Sequence, residues 1–322
     1  MSESPVTIDL KYRGVPEAVA SFLFRTEEGP VLVESGPSST LDALRTGLAT
    51  AGVDPESVAA VILTHIHLDH AGAAGWFADR GADIHVHPFG VRHLVDPARL
   101  NASARRIYGD ELEELFGEMQ ACPEDRIHPV EDGGIVRYGR HRFTAIETPG
   151  HARHHHAWAI RTDRGHTCFS GDVAGMRVPG TDHPILPLVP PEFDPTVWNA
   201  SLDRIDGMGF DTLELTHFGT VPDPGRHLER VRAQLAWETS VATHLLDDPG
   251  LDHAGRIAAY RTKLHERATS AGVTDAARKT YLDDGGISMN LGGVGRYLKT
   301  SRSEATRADL GSTEGPNTNP SG

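Results

Sequence analysis

The segment at residues 64–72 carries the densest chemistry in the chain, with the pattern His-x-His-x-Asp-His followed by Ala-Gly. His65, His67, Asp69 and His70 come directly after an apolar run at residues 61–63. Neutral imidazole and carboxylate groups are suitable ligands for zinc, iron or manganese. A strand would aim successive side chains to opposite faces, whereas a loop at its end can turn all four to one side. We therefore predict a metal site at the end of a strand, with room for more than one ion.

A chance cluster is the competing explanation, because the chain contains 19 histidines. A chance cluster, however, need not follow a buried strand, interleave with aspartate and end in Ala-Gly. These features favour a metal site over a random grouping, although motif matches always carry some false-positive risk. We interpret His85 and His87, which alternate in a strand-like run, as structural, and we place His154 and His156 on the surface and in a strand, respectively.

Three more ligand-type residues lie farther along the chain in the same local setting. His151, Asp172 and His217 each follow a short strand-like run and stand beside a glycine or one residue from it. The runs in question are residues 143–146, 167–169 and 212–214. A single ligand-type residue after a strand-like run and near a glycine is weak support for a metal site. The repetition of this setting along one chain strongly indicates such a site.

The ordered set of histidines and aspartates resembles that of the metallo-β-lactamase-fold hydrolase superfamily, and most closely its glyoxalase II-like branch. The resemblance spans roughly residues 5 to 220 in motif order. It implies that His65, His67 and His151 hold one metal ion. It implies that Asp69, His70 and His217 hold a second ion and that Asp172 bridges the two.

The same resemblance implies an α/β fold, an αββα sandwich with the metal ions at one edge between the sheets. The cofactors would be two divalent ions, with zinc as the first expectation and iron or manganese as alternatives. Glu34-Ser35 stands where the family usually has Asp-Thr in an early strand-turn motif. His155, four residues after His151, matches a second histidine that is not a primary ligand in glyoxalase II-like proteins.

The residues themselves favour hydrolysis. Two metal ions about 3.5–4 Å apart lower the pKa of a shared water and polarise a carbonyl or phosphoryl oxygen. Asp172 would hold the ions at that spacing, and Asp69 would orient the bridging hydroxide and move a proton, which makes it the candidate catalytic residue. No serine or cysteine nucleophile is required. We therefore expect a metal-dependent hydrolase acting on a small acyl substrate, namely a thioester, a lactone or a similar ester.

Other functions remain open at this point. A metal-dependent phosphodiesterase or nuclease could use the same ligands, but the net charge of −14 disfavours a polyanionic partner. A persulfide dioxygenase looks similar but uses a single iron, whereas the full ligand set favours two sites. A non-enzymatic sensor on an intact site is a further alternative.

Composition and sequence patterns restrict the compartment in which we expect the protein and the partners that we expect it to bind. The longest apolar runs are far shorter than the roughly 20 residues that a membrane span needs, and the start of the chain lacks the basic and apolar regions of a secretory signal. Cys122 and Cys168 are the two cysteines, too few for a disulfide framework. We expect a cytoplasmic protein with a small-molecule substrate and with neither a nucleic-acid nor a membrane partner, and its oligomeric state stays open.

Strand-like and helix-like patterns alternate along the chain, which is typical of a layered α/β fold. Residues 18–24 and 31–34 predict paired strands, and residues 69–80 predict a helix. We divide the chain into a catalytic domain at residues 1–220, a helical C-terminal segment at 221–300 and a disordered tail at 301–322.

Two segments depart from a minimal version of the family. A helical insert at about 95–122, with its helix at 101–120, precedes His151, and its apolar side would favour a lipophilic acyl group in the substrate. A strong amphipathic helix at 225–246 opens the C-terminal segment. The glycine-rich run at 290–298 lacks the strand context of a phosphate-binding loop, so we do not assign one.

Overall fold

A computed structural model describes residues 3–282 and 286–311 of the chain. Its strands form two six-stranded sheets and one two-stranded ribbon. The first sheet consists of β1 (Val6–Asp9), β2 (Ala20–Phe24), β3 (Val31–Val33), β4 (Ala60–Ile62), β5 (Asp83–Val86) and β6 (Ile127–Pro129). The remaining strands are β7 (Ile135–Tyr138), β8 (His141–Glu147), β9 (His156–Thr162), β10 (Gly165–Phe169), β11 (Met176–Arg177), β12 (Pro184–Ile185), β13 (Thr212–Leu215) and β14 (Gly219–Val221). Of these, β11 and β12 form the ribbon, and the others form the second sheet in the order β14-β13-β10-β9-β8-β7.

Helices cover the outer faces of both sheets. The first group consists of α1 (Leu41–Thr50), α2 (Leu68–Ala71), α3 (Ala74–Ala78), α4 (Val91–Val95), α5 (Ala98–Tyr108) and α6 (Leu112–Leu115). The second group consists of α7 (Pro195–Gly207), α8 (Pro224–Asp247), α9 (His253–Ser270), α10 (Asp275–Tyr281) and α11 (Gly286–Gly311).

Alternation along the strands builds the four layers. In β2, Phe22 and Phe24 face the second sheet and pack near Phe143 and Phe169, whereas Leu23 faces α1 on the outside. On the outer face of the second sheet, strand residues pack against α7, α8, α9 and α11. Both faces of each sheet are therefore buried, which explains why the central strands are almost continuously apolar. The predicted αββα sandwich with C-terminal helices is confirmed.

The directions of the strands place the loops that carry the predicted metal ligands at one edge of the sandwich. In the first sheet, β3, β4, β5 and β6 are parallel to one another, and β13 is parallel to β10 in the second. The carboxyl ends of parallel strands meet at the same edge of a sheet. A backbone hydrogen bond of 2.8 Å from Ala20 N to Thr216 O joins the two sheets.

The predicted helices at 69–80 and 101–120 are each divided in the structure. The carbonyl of His70 accepts hydrogen bonds from the amides of Ser35 and Gly36, so it does not continue a helix, and α2 and α3 are separate. Gly109 adopts a φ of 57° after α5, and this left-handed geometry ends the helix before α6 begins. The predicted helix at 225–246 coincides closely with α8.

The predicted boundary at Ser301 does not coincide with the end of a helix. The backbone of α11 runs on to Gly311, and residues 312–322 of the predicted tail lie outside the described residues. No helix among residues 3–282 and 286–311 is both long and apolar enough to cross a membrane.

Candidate metal centre

Seven ligand-type side chains from loops far apart in sequence meet at the sandwich edge. His65 and His67 lie between β4 and α2, and Asp69 and His70 lie within α2. The other three follow strands of the second sheet: His151 lies after β8, Asp172 after β10 and His217 after β13. The structure thus brings together every residue for which the sequence predicts metal ligation.

His65, His67 and His151 form the first trio, whose ligand atoms lie within 4.8 Å of one another. His67 Nδ1 is 3.0 Å from His65 Nε2 and 2.9 Å from His151 Nε2. Donors around one tetrahedral zinc ion at about 2.0–2.2 Å lie roughly 3.3–3.6 Å from one another. The first trio is therefore a slightly contracted three-nitrogen cradle for one ion.

Asp69, His70 and His217 form the second trio, with the same 4.8 Å limit on its ligand atoms. Asp69 Oδ2 lies 3.4 Å from His217 Nε2 and 3.7 Å from His70 Nε2. The two imidazole nitrogens are themselves 3.2 Å apart. These separations match the spacing of donors around a single ion.

Asp172 lies between the two trios and turns one oxygen toward each. Its Oδ2 is 3.3 Å from His151 Nε2 and 3.9 Å from His65 Nε2. Its Oδ1 is 3.2 Å from His70 Nε2 and 3.5 Å from His217 Nε2. Oδ1 is buried and has no hydrogen-bond donor among the described residues. A buried carboxylate oxygen without a donor is costly, and a cation would satisfy it.

Outward hydrogen bonds fix the tautomers of the ring nitrogens. His151 Nδ1 donates to Pro187 O at 2.8 Å, and His217 Nδ1 donates to Ala18 O at 3.0 Å. His70 Nδ1 donates to Glu34 Oε1 at 2.9 Å. Since a neutral imidazole carries one N–H, each Nε2 presents a lone pair to the centre. The facing nitrogens of His70 and His217, 3.2 Å apart, are accommodated either by a proton on one of the rings or by a metal ion that both bind. The donor set therefore fits metal ions.

Glu34 orients metal ligands of both trios, although its sequence motif departs from the family pattern. It is fully buried with a φ of 68°. Besides His70, its Oε1 accepts hydrogen bonds from Thr64 Oγ1 at 2.6 Å and Thr216 Oγ1 at 3.2 Å. Thr64 Oγ1 in turn lies 3.1 Å from His65 Nδ1. One carboxylate thus orients an imidazole in each trio, a role that the sequence resemblance alone did not assign.

His155 supports Asp172 rather than joining either trio. Its Nε2 accepts the Asp172 backbone N–H at 3.0 Å, and its Nδ1 lies 2.7 Å from Thr148 Oγ1. Gly171, with a φ of 50°, brings the loop close, because a Cβ there would be 2.6 Å from His155 Nε2. The position of His155 agrees with the supporting role that the sequence suggested.

The other histidines differ in part from their sequence interpretation. His154 is not a surface residue: its side chain is 11% exposed and its ring lies 5.4 Å from that of His67. The structural role of His87 stays a prediction: its Nδ1 accepts the Phe89 N–H and its Nε2 donates to Glu147, but the ligand atoms of His87, Glu147 and His156 also lie within 4.8 Å of one another, a spacing that could hold a metal ion. His156 is buried in β9 with its ring near that of His87.

Electrostatics at the centre favour a bound cation. Burial lowers the pKa of His65 well below its usual value and that of His67 to about 3, so both remain neutral ligands. Burial alone would lower the pKa of His70 as well, but Asp172, Asp69 and Glu34 outweigh it and raise that pKa. The pKa of Asp172 is held well below its usual range by His70, His151 and His217 despite burial. The Asp172 carboxylate thus stays ionised and contributes a negative potential at the centre.

A cavity of about 1050 Å³ opens onto the centre. His67, Asp69, His151 and Asp172 form part of its wall. Apolar side chains from α4, α5 and the segment before β6 form much of the rest, including Val91, Val95, Leu100, Ile107, Tyr108 and Phe116. A cavity of this size can hold a small organic molecule next to the metal ligands.

Comparison with known proteins identifies the family of this arrangement. Residues 14–217 match the family model described as Metallo-beta-lactamase superfamily. The metallo-beta-lactamase fold-containing protein ST1585 of Sulfurisphaera tokodaii is 29% identical over 165 residues, which are 50% of this chain and 60% of that protein. Metallo-beta-lactamase domain-containing protein 1 of Rattus norvegicus is 51% identical over 49 residues, 15% of this chain and 20% of that protein. The chain thus spans well under two thirds of the length of these curated relatives.

Solved structures agree in fold. The metallo-beta-lactamase family protein TTHA1429 from Thermus thermophilus superposes with a TM-score of 0.65 at 21% identity, covering 88% of this chain and 89% of that one. The crystal structure of ST1585 superposes with a TM-score of 0.61 at 22% identity, covering 91% and 98%. At these identities the superpositions establish the fold alone.

Proposed function

The chain belongs to the metallo-beta-lactamase superfamily, and from that premise we propose that it is a dinuclear metal-dependent hydrolase of a small acyl substrate. Thioesters, lactones and similar esters are the substrate classes that we propose, with zinc as the first choice of metal. The observation that carries the proposal is the position of Asp172, which turns one carboxylate oxygen toward each trio. A bridging carboxylate between two three-ligand cradles is the arrangement that a two-metal site requires.

Each residue has a role that follows from its contacts. The first trio and the second trio would each hold one ion, and Asp172 would keep the ions at a fixed separation. Two bound ions supply an activated water and a positive charge beside the carbonyl oxygen. Asp69 is 26% exposed toward the cavity, so its carboxylate can take a proton from the attacking water and pass it to the leaving group.

The cavity supports an acyl substrate with an apolar part. Ile107 and Phe116 from the insert lie across from the ligands and would exclude water from the acyl chain. Arg92, Arg99 and Arg153 line the same cavity and provide positive charge for an anionic group on the substrate. These arginines widen the proposed substrate class from lipophilic acyl groups to acyl groups that also carry a carboxylate.

The helices after residue 221 support an assignment to the glyoxalase II-like branch, which we retain as part of the proposal. Met289 of α11 reaches the cavity wall, so the C-terminal segment contributes to the pocket as well as to the core.

Metal analysis followed by a substrate panel tests the proposal. We expect close to two transition-metal equivalents per chain and turnover of a thioester or lactone. The panel should contain a thioester, a lactone, a β-lactam and a phosphodiester, each assayed with the metal-loaded and the chelated protein. One tightly held iron with oxygen uptake on a persulfide would contradict the proposal in favour of a dioxygenase. Turnover of the phosphodiester alone would favour a phosphodiesterase.

A further inference from the structure

The glycine-containing face of α11 at residues 290–293 contacts the loop that holds a metal ligand. We propose that this face, through Asn290 and Gly293, positions His151 within the first trio. The inference rests on the dinuclear centre proposed above and assigns a specific task to the C-terminal helices and to the glycine-rich run.

The Pro187 carbonyl connects the loop to the site. His151 Nδ1 donates to Pro187 O at 2.8 Å. On the other side of the same ring, His151 Nε2 lies 2.9 Å from His67 Nδ1 and 3.3 Å from Asp172 Oδ2. Movement of that carbonyl would therefore rotate the imidazole and displace its ligand atom. Groups that hydrogen-bond to metal-ligating histidines set ring orientation and ligand basicity in this way.

Asn290 holds the loop on both sides of Pro187. Its Oδ1 accepts the Leu188 N–H at 2.9 Å, and its Nδ2 donates to Leu186 O at 2.7 Å. The Asn290 side chain thus pairs with one backbone N–H and one backbone carbonyl, as a neighbouring strand would. It fixes the peptide groups on either side of the Pro187 carbonyl. Asn290, Leu186 and Leu188 are all buried, so water does not compete for these hydrogen bonds.

Two neighbouring helices hold Asn290 in place. Glu238 of α8 receives a hydrogen bond from Asn290 Nδ2 at 3.3 Å and another from Tyr260 of α9 at 2.9 Å. The network joins α8, α9 and α11 to the loop. A rotation of the Asn290 amide would break bonds at both ends, so its orientation is fixed.

Gly293 provides the close approach that these hydrogen bonds need. A Cβ at this position would lie 1.8 Å from Leu188 O and 2.7 Å from Leu188 C, which are backbone atoms of the same loop. Gly292 differs, because a Cβ there would meet Pro190 Cγ at an ordinary 3.8 Å. Glycine inside a helix is destabilising relative to alanine. At Gly293 this cost is offset by the contact with the loop, whereas at Gly292 no close contact requires glycine.

Two pairs of variants separate positioning from general stability. Gly293→Ala and Gly292→Ala make the same change at adjacent helix positions, and only the first collides with the loop. Asn290→Ala removes the clamp, and Asn199→Ala is its control, since Asn199 Nδ2 donates within its own helix α7, to Pro195 O. Zn²⁺ affinity is measured by competition with a chromophoric chelator, and Co²⁺ absorption spectra report the ligand geometry.

We expect Asn290→Ala and Gly293→Ala to weaken one of the two Zn²⁺ sites on the order of tenfold and to change the Co²⁺ spectrum. The other site should change much less, and both control variants should match the wild type. Circular dichroism melts identify any variant that does not fold, and Asn290→Ala, which introduces no collision, then carries the test. Unchanged affinities and spectra in folded Asn290→Ala would overturn the inference while the wild type still bound two ions. A wild type that binds no second ion would instead refute the proposed function.

Discussion

At the residue scale, the single carboxylate of Glu34 helps to orient imidazoles of both trios. Its carboxylate accepts hydrogen bonds from His70 and Thr64, and Thr64 is within hydrogen-bond distance of His65. The residue stands where the resemblance led us to expect aspartate, and the longer side chain still reaches His70. The left-handed backbone at Glu34 is consistent with a position under functional constraint.

Replacing Glu34 with glutamine should weaken metal binding without unfolding the protein. Glutamine is nearly isosteric but neutral, so His70 and Thr64 would lose a charged acceptor. We expect a 10–100-fold loss of Zn²⁺ affinity, the usual effect of removing a group that orients metal-bound histidine. Glu214→Gln is the control, because Glu214 is also buried but contacts Arg164 and Thr220. Equal affinities in the two variants would contradict the role of Glu34.

Asp69 should matter more for turnover than for folding. Its side chain is part of the cavity wall, and it alone among the second trio is partly exposed there. Asp69→Ala removes both a ligand and the proton acceptor, so we expect kcat to fall by about 10²–10⁴-fold, while the variant and the wild type melt at nearly the same temperature once both are chelated. The measurement is steady-state kinetics on the best substrate of the panel, with metal content determined in parallel. Near-normal kcat would remove Asp69 from the mechanism.

At the scale of elements, the insert and the C-terminal helices have different tasks. The insert supplies cavity wall and is anchored to the loop before α1, where Phe116 O accepts the Ser39 N–H at 2.9 Å. The C-terminal helices pack on the second sheet and bind the loop that holds His151. Substrate choice should therefore depend on the insert, and metal geometry on the C-terminal helices.

Ile107 offers a sharper test of the insert than a deletion of residues 101–120. Its side chain is 51% exposed and lines the cavity. Ile107→Asn should raise KM for long apolar acyl substrates more than for short ones, because apolar burial contributes about 25 cal/mol per Å². Arg106→Asn is the control, since Arg106 is adjacent but does not line the cavity. An unchanged ranking of kcat/KM across the panel would show that the insert only packs.

Glu238 makes the stability of the C-terminal helices depend on pH. Burial raises its pKa to about 7 from an ordinary 4.5, although Tyr260, Gln234, Asn290 and Arg267 partly offset the effect. Below pH 4.5 the Glu238 carboxyl is protonated in both the folded and the unfolded chain. As pH rises through this window the unfolded chain releases the proton first, so stability is lost, and the loss is complete above the folded-state pKa.

Glu238→Gln should abolish this component of the pH dependence. The variant cannot ionise, so we expect it to be about as stable as the wild type near pH 5 and more stable near pH 8, by roughly 3 kcal/mol at most. Urea unfolding at both pH values measures the difference. Glu229→Gln, an exposed change on the same helix, is the control. A pH-independent difference between wild type and Glu238→Gln would contradict the assignment.

At the scale of the whole molecule, the centre joins the two halves of the sandwich. His65, His67, Asp69 and His70 follow a strand of the first sheet, whereas His151, Asp172 and His217 follow strands of the second. Each trio contains residues from both sheets. Bound ions would therefore cross-link the sheets and stabilise the folded state by mass action.

Removing the metal should lower the melting temperature. Ligand at about 100 times its Kd stabilises a protein by about 2.7 kcal/mol per site, so we expect a shift of several degrees on chelation. Thermal melts with and without chelator, followed by re-addition of Zn²⁺, measure the effect. Asp172→Ala, which keeps both trios but loses the carboxylate between them, should show a smaller shift on chelation than the wild type. A wild type that is insensitive to the chelator would argue against ions bridging the sheets.

The sequence by itself determined the parts whose signal is local. The spacing from His65 to His70 predicts a metal site, the strand-like runs at 18–24 and 31–34 predict paired strands, and the amphipathic pattern at 225–246 predicts α8. These signals are readable because one strand or one helix repeats its geometry every few residues.

The tertiary structure decided everything that depends on partners distant in sequence. It divided the helix predicted at 69–80, because Ser35 and Gly36 bond the His70 carbonyl. It placed His154 in the cavity wall, brought the Glu34 carboxylate within hydrogen-bond distance of His70, and set Asn290 against the loop that holds His151. A single sequence records which groups can bond but not which distant groups will meet, since that choice is made by the packing of whole sheets and helices against one another.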